Sequence, residues 1–541
     1  MTKTPWQVHP RPQQKRKLWH NLNGEWLLNG KALTVPFPPQ SKLSDYEGDV
    51  PEQFLCEKRF TLPADFQKET VLLYFGAVDQ IAEVSLNDQP LGRHEGGYLP
   101  FSFDISNCVK RDGENLLKVC VTDRLDQTYP YGKQTKKPGG MWYTPVSGIW
   151  QTVWLENVPK KHISSVKLDC DLNGVTVTVD GVDSFTAEVD GKTYEFSGKS
   201  GRIDMENPIH WTPDDPQLYP LILRAGEDEV ESYFALREIK IEKYSGVSRV
   251  LLNGKPIFLH GVLDQGYYQD GIFLPHEPEE YDRDILRMKD LGFNLLRTHI
   301  KIEPDYFYYA CDKFGMLVMQ DMVNSGSYNF ILDTAFPTIG LLKRPDNLAP
   351  AHSKRKDFFR QHMLDTLKHL HNHPSVIAYT IFNEGWGQFN SDDMYHLAKT
   401  ADPSRLYDST SGWFAQKCSD FDSPHIYFRS KKLNPRNRPL LLSECGGFAM
   451  AVEGHRFNPK KKYGYGTCQN SVELTERIMA LYEKMIFPAI PDGCCGCIYT
   501  QLSDVEEEIN GLYTYDRQVC KVEKEELRIL SQSIARTMRA L

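Results

Sequence analysis

Up to about residue 157, apolar and polar positions alternate with period two in short runs separated by Asn, Asp and Gly. These runs are FLCEKRFTL (54–62), VLLYFGAV (71–78), AEVSLNDQPLG (82–92), NLLKVCVTD (115–123) and GIWQTVWLE (148–156). Alternation with turn residues at close intervals predicts antiparallel strands packed as a jelly-roll sandwich. The same spacing continues in a shorter segment, about 160–243, through VTVTVDG, FTAEVDG, KTYEFSG and VESYFALREIKIE. Four or more strands there predict a small immunoglobulin-like β-sandwich. Within it, HWTPDDPQLYPLIL (210–223) carries three prolines, which predicts a crossing at a sheet edge.

After about residue 250 the pattern changes to near-continuous apolar runs separated by stretches of helical period. The runs are PIFLHGV (256–262), NLLR (294–297), LVMQD (317–321), VIAYTIF (376–382), LYDST (406–410), SPHIY (423–427), PLLLSE (439–444) and CIYTQ (497–501). Amphipathic segments between them include YDRDILRMKDLG, PDYFYYACDKFG, KDFFRQHMLDTLKHLH and SVELTERIMALYEKM. Eight strands buried on both faces and joined by helices predict a C-terminal (β/α)8 TIM barrel. The expected organisation is multidomain: a jelly roll over 1–157, an immunoglobulin-like sandwich over 158–243 and the barrel over 244–541.

Composition narrows the function classes. The chain has 541 residues, 40% of them apolar and 12% aromatic, enough to build several cores and too apolar for disorder. With 63 Lys plus Arg against 72 Asp plus Glu, and no long basic block, nucleic acid is not an expected partner. No apolar run approaches the roughly 20 residues that span a bilayer, so no membrane association is expected. The N-terminal MTKTPWQVHPRPQQKRKLWH has no apolar stretch behind its charges, and a cytoplasmic location is expected by default. Of the 12 cysteines only Cys494, Cys495 and Cys497 cluster, without a second pair to converge on a metal. They read as small apolar residues at a strand start, and neither a metal nor another cofactor is expected.

In a TIM barrel the chemistry sits at the C-terminal ends of the strands. Strand four ends in Asn383-Glu384 and strand seven in Ser443-Glu444. A carboxylate aimed into a barrel mouth is costly to desolvate without a partner or a task. Two of them facing one cavity are the equipment of glycoside hydrolysis, in which one protonates the leaving oxygen and the other attacks or activates water. Arg297 ends strand two, with His299 just beyond; His425 and Tyr427 end strand six; Asp264 and Gln265 follow strand one. Trp386, Trp413, Tyr267 and Tyr268 can offer flat faces to sugar rings, and Asp504, Glu506 and Glu507 can reach the mouth, although most of that acidic run is expected to be solvated.

The order of these domains, together with NEGW on strand four and SE on strand seven, resembles glycoside hydrolase family 2, which holds β-galactosidases, β-glucuronidases and β-mannosidases. LNGEW (22–26), GRHEGGYLPFSFDIS (92–106) and SGIWQTVWLE resemble its sugar-binding domain, and WTPDDPQLYPL and ALREI (235–239) its middle domain. LLNGKPIFLHGV (251–262), NLLRTH, KFGMLVMQD and NHPSVIAYTIFNEGW resemble its barrel. The resemblance implies Glu384 as acid/base and Glu444 as nucleophile of a retaining mechanism. It further implies that Asn383 hydrogen-bonds the sugar 2-hydroxyl and that Arg297 holds the nucleophile ionised.

Two departures bear on specificity. The β-glucuronidases of the family carry an Asn-x-Lys pair before a segment like GLYTYDR (511–517), whereas this chain has Glu508, Ile509 and Asn510 there. A glutamate facing a uronate repels it, unless a lysine from the 460–462 run takes the missing place. The large β-galactosidases use a histidine-rich motif past strand one where this chain has HGVLDQGYY. The expectation is an exo-acting, retaining β-glycosidase acting on an oligosaccharide or glycoside, β-galactosidase-like first. Alternatives are a β-glucuronidase, another family specificity such as β-mannosidase or α-L-arabinosidase, or a non-catalytic carbohydrate-binding protein. The oligomeric state is left open, a homo-oligomer included.

Overall fold

The computed structural model describes residues 4–338, 343–347, 353–427 and 431–541. Its N-terminal part is a sandwich of a four-stranded and a six-stranded sheet whose strands pair antiparallel. Alternation decides which side chains enter its core: along Asn115–Thr122, Leu117, Val119 and Val121 point inward with Trp26, Val84 and Leu155. The run 82–92, expected as one strand, is a hairpin of Ile81–Leu86 and Gln89–Glu95. Asn87 and Asp88 take φ of 50° and 64° at its tip, the left-handed pair that a tight hairpin turn needs.

A smaller sandwich follows, with sheets of three and four strands closed on Val175, Val177, Leu221, Leu223 and Phe234. Of the three prolines expected at a sheet-edge crossing, Pro213 and Pro216 lie in the connection from Ser200–Asp204 of one sheet to Tyr219–Ala225 of the other, whereas Pro220 lies inside a sheet. Tyr219–Ala225 lies inside its sheet, between Ser184–Val189 and Asp228–Phe234. Pro220 is tolerated because the pairing with Ser184–Val189 covers only Ile222 to Arg224, leaving the proline outside that ladder.

The third unit is a parallel barrel. Its strands are β1 (Leu259–Asp264), β2 (Leu295–Thr298), β3 (Leu317–Asp321), β4 (Val376–Asn383), β5 (Leu406–Ser411), β6 (His425–Ile426), β7 (Leu440–Gly446) and β8 (Cys494–Thr500). They pair in the order β5-β4-β3-β2-β1-β8-β7-β6, and a parallel bridge between Gly412 and Pro424 brings the two ends together. Leu263, Leu295, Leu317, Met319, Ile377, Leu441 and Ile498 form one core with Trp211 and Val250, so the strands Ile239–Tyr244 and Val247–Leu252 pack with the barrel strands. The helix Glu279–Asp290 buries Tyr281, Ile285 and Met288, spaced four and three residues apart, as an amphipathic helix on a sheet requires. Among the described residues, no helix follows β5 or β6, which departs from a full (β/α)8 repeat. Also among them, no helix is long and apolar enough to cross a membrane.

Candidate active site

The last residue of β4, Asn383, is followed by Glu384 in the left-handed region (φ 51°) and Gly385 at φ 74°. The chain reverses at once, Trp386 N–H donating to the Asn383 carbonyl (2.9 Å) and Glu384 N–H to the Ser411 carbonyl (2.9 Å). Left-handed backbone is unfavourable for a glutamate and persists where the surroundings hold it, as at functional sites. A side chain at Gly385 would meet Phe414 at 2.4 Å, so the turn admits only glycine. On β7 the ladder to β8 shifts register between Leu442 and Cys445, an irregularity on the strand that carries Glu444.

These two strand ends face each other. One ligand-capable atom from each of Glu384, His425 and Glu444 lies within 4.8 Å of the other two. Such a set can hold a divalent cation, but it would do so with both carboxylates that an acid–nucleophile pair needs free. Glu384 and Glu444 line a narrow pocket with Lys133, Met141, Leu263, Gln265, His299, Trp386, Tyr427, Tyr465, Thr500 and Glu508. A cleft of about 1200 Å³ lies elsewhere, between the sandwiches and the helices that cover β3 and β4, and contains neither glutamate.

The pair is electrostatically asymmetric. Arg297 is fully buried and donates through Nη1 to Glu444 Oε1 (3.1 Å) and the Ser443 carbonyl (3.0 Å). Its Nε donates to Asp321 Oδ1 (2.9 Å) and its Nη2 to Asn383 Oδ1 (2.9 Å). Tyr427 donates its hydroxyl to Glu444 Oε2. Burial pushes the Glu444 carboxyl up, but the His425 ring, Arg297, His299 and Tyr427 outweigh it and bring it down to about 2. Burial lifts the Glu384 carboxyl above its ordinary range, and the charge of Glu444 adds to the effect.

A chain of hydroxyls orients the His425 ring. Ser443 Oγ donates to the Ser423 carbonyl (2.9 Å), so its one proton is used there. Ser411 Oγ must then donate to Ser443 Oγ (3.1 Å), and His425 Nε2–H to Ser411 Oγ (2.7 Å). The ring's Nδ1 lies 2.8 Å from Glu384 Oε1, a contact that needs one proton, carried either by the carboxyl or by the ring. The Nε2 edge lies 3.6 Å from Glu444 Oε1. His299 is held similarly: its Nδ1–H donates to Asp321 Oδ2 (2.7 Å), and burial, with the Lys133 charge, lowers its pKa to about 4.

Around the pocket several buried polar atoms have no protein partner: Asn383 Nδ2, Trp386 Nε1, Thr500 Oγ1 and both amide atoms of Gln265. Unpaired buried donors and acceptors are costly, and a polyhydroxylated ligand would satisfy them. Of the residues expected at the site, Glu384, Glu444, His299, Trp386 and Tyr427 line the pocket, Arg297 and His425 bond directly to residues that do, and Asn383 accepts through Oδ1 from Arg297. Trp413 instead braces the turn after β4, donating Nε1–H to the Glu384 carbonyl (3.0 Å) and the Asp333 carbonyl (3.1 Å). Asp264 is taken up by the backbone N–H of Gly266 (2.9 Å), and its neighbour Gln265 reaches the pocket. Tyr267 and Tyr268 are buried among aromatic side chains: Tyr267 packs on Tyr143 and Phe273, Tyr268 on Tyr281.

The acidic run after β8 is not solvated, contrary to expectation. Asp504 pairs with buried Lys521 (2.6 Å), and Glu506, Glu507 and Glu508 hold the sandwich loop through Thr144 N–H, Gly140 N–H and the Tyr143 hydroxyl. Lys461 pairs with Glu507 (3.2 Å), so this member of the 460–462 run is committed there. The cysteines Cys494, Cys495 and Cys497 are buried on β8, where burial pushes the Cys494 thiol up to about 12 and keeps it protonated.

Barrel, strand-end carboxylate pair and sandwich loop together define the class: a multidomain TIM-barrel protein with two buried carboxylates facing each other at its mouth. Two family models match, "Glycosyl hydrolases family 2, TIM barrel domain" over residues 243–444 and "Glycosyl hydrolase 2 galactose-binding domain-like" over 39–154. The chain belongs to glycoside hydrolase family 2. It is 27% identical to a β-galactosidase of Thermoanaerobacter pseudethanolicus over 54% of this chain and 43% of that one. It is 25% identical to a β-galactosidase of Leuconostoc mesenteroides over 82% of this chain and 47% of the other. The chain thus spans less than half the length of these curated relatives. In fold it is similar to the β-D-glucuronidase of Dictyoglomus thermophilum, with TM-score 0.75, 18% identity and coverage of 96% and 98%. The Faecalibacterium prausnitzii β-glucuronidase superposes equally well, with TM-score 0.75, 20% identity and coverage of 97% and 99%.

Proposed function

We propose that the protein is an exo-acting, retaining β-glycosidase that hydrolyses the terminal bond of an oligosaccharide or glycoside, with a β-galactoside the leading substrate. The observation that carries this reading is the close approach of Glu384 and Glu444, with atoms of both inside a 4.8 Å group. Retaining enzymes hold their carboxyls about 5 to 5.5 Å apart, whereas inverting ones leave room for a water at about 6.5 to 9.5 Å.

Glu384, protonated against His425 Nδ1, gives its proton to the glycosidic oxygen as the bond to the anomeric carbon breaks. Glu444, ionised by Arg297 and Tyr427, attacks that carbon from the opposite face and forms a glycosyl ester. The leaving alcohol departs with the proton. Glu384 is then a carboxylate and takes a proton from water as the water's oxygen displaces Glu444. The two inversions return the sugar with its original anomeric configuration, and both carboxyls recover their starting states. Asn383 Nδ2, free of protein partners, is available to the 2-hydroxyl.

The test is to follow the first-formed anomer by NMR across a panel of aryl β-galactoside, β-glucoside, β-mannoside, β-glucuronide and α-L-arabinoside. Retention with one panel member supports the reading, and inversion or inactivity with all of them overturns it. We also place the protein in the cytoplasm; its twelve cysteines are all free, which suits a reducing compartment.

A further inference from the structure

Resting on the glycosidase reading, we propose that Lys133 and Glu508 form a donor–acceptor clamp that selects a neutral terminal sugar, half of it supplied by the N-terminal sandwich. Lys133 belongs to the connection between Asn115–Thr122 and Gly148–Ile149, far longer than a hairpin needs. That connection is pinned on both sides of the lysine. Tyr131 N–H donates to the Asn324 carbonyl (3.0 Å) and its hydroxyl to the Gly326 carbonyl (2.9 Å), both on the barrel. Gln134 Nε2 donates to Asp79 Oδ2 (2.9 Å) on the sandwich, while its Oε1 accepts from Val146 N–H (2.7 Å). Gly132, at φ 71°, sits where a side chain would meet the Tyr98 hydroxyl at 2.7 Å.

The pinning delivers an ammonium to the pocket. Lys133 is 7% exposed, and its Nζ lies 5.5 Å from the Tyr143 ring centre and 5.8 Å from that of Trp386. It lines the pocket with Glu384, and among the described residues it has no carboxylate within ion-pair distance. A buried cation without a partner is costly unless a ligand completes it. Glu508 lines the same pocket. Its carboxylate accepts from the Tyr143 hydroxyl and from Asn510 Nδ2 (3.0 Å), which leaves acceptor capacity unused.

An ammonium only donates and a carboxylate only accepts, whereas a sugar hydroxyl does both. Neighbouring hydroxyls of a neutral sugar can satisfy the two together. A uronate carboxylate would satisfy Lys133 and be repelled by Glu508; an amino sugar would meet the reverse conflict. The opposed charges therefore act against both kinds of charged sugar.

The experiment compares the full chain with its Lys133→Met, Lys133→Arg and Glu508→Gln variants on aryl β-galactoside and aryl β-glucuronide. Circular dichroism and melting temperature serve as controls for folding. The expected results are a wild-type preference for the neutral glycoside and a loss of about 10- to 100-fold in kcat/KM for Lys133→Met. Lys133→Arg should recover part of that loss. Glu508→Gln should raise the glucuronide-to-galactoside ratio at least about tenfold, an outcome that a merely structural glutamate would not produce. A wild type that prefers the glucuronide, a Lys133→Met variant within about threefold of wild type, or an unchanged ratio in Glu508→Gln overturns the clamp. A wild type that hydrolyses no glycoside in the panel overturns the glycosidase reading instead.

Discussion

At the end of β4, Glu384 stands on a left-handed backbone against a ring nitrogen of His425; at the end of β7, Glu444 lies in a strand against an arginine and a tyrosine hydroxyl. Both are buried, and both enter one pocket. Burial raises both, yet Glu444 ends at about 2 because His425, Arg297, His299 and Tyr427 together outweigh it, whereas at Glu384 burial exceeds what His425 and Lys133 offset and leaves the carboxyl above its ordinary range. In the proposed mechanism, two copies of one side chain take the roles of acid and nucleophile through the groups bonded to each. Sharing a pocket sets the chemistry; differing partners set the division of labour.

The comparison breaks most severely if Glu444 is changed. Glu444→Gln should lower kcat by on the order of 10⁴-fold or more for every aryl glycoside, measured in steady state, because no group remains to form the ester. Glu384→Gln should cost about 10²- to 10⁴-fold with poor leaving groups, and far less in the first step with a dinitrophenyl leaving group, which needs no proton. Burst kinetics would show the difference as accumulated ester.

Stability should respond with opposite signs. Glu444 has a lowered folded-state pKa, so it stabilises the fold at pH values above the ordinary carboxylate range, and that stability is lost as pH falls toward about 2. Glu444→Gln should therefore lower the melting temperature at neutral pH. Glu384 has a raised pKa, so at neutral pH its burial opposes folding; Glu384→Gln should raise the melting temperature. The same asymmetry fixes the pH–rate profile. Activity should hold at pH values well below the ordinary carboxylate range, where Glu444 is still ionised, and fall on the alkaline side as Glu384 loses its proton above its ordinary pKa. The smallest effect is expected for Tyr427→Phe, about tenfold in kcat, since Arg297 still holds the nucleophile.

The barrel and its glutamates were legible in the sequence because apolar runs such as VIAYTIF and PLLLSE end abruptly in polar residues. Asp264 and Gln265 show a limit of that reading. Adjacent residues at a strand end point to different sides, and the run HGVLDQ alone does not tell which one enters the mouth; Gln265 does. Glu506 and Glu507 were misread as solvated because their partners lie on residues 140 and 144, some 360 residues earlier. Lys133 was missed for the same reason, although the long stretch between two strands, rich in Gly, Pro and aromatic residues, was a signal that the loop has a task. The single strand expected over 82–92 failed locally, where Asn87-Asp88 forms the hairpin turn.

The division of labour is tested most directly by trapping the ester. A fluorosugar whose second step is slow should inactivate the protein with one sugar bound per chain, and peptide mass spectrometry should find that sugar on Glu444. A label on Glu384 or on any other residue, or turnover of that fluorosugar with inversion and no label, would contradict the account.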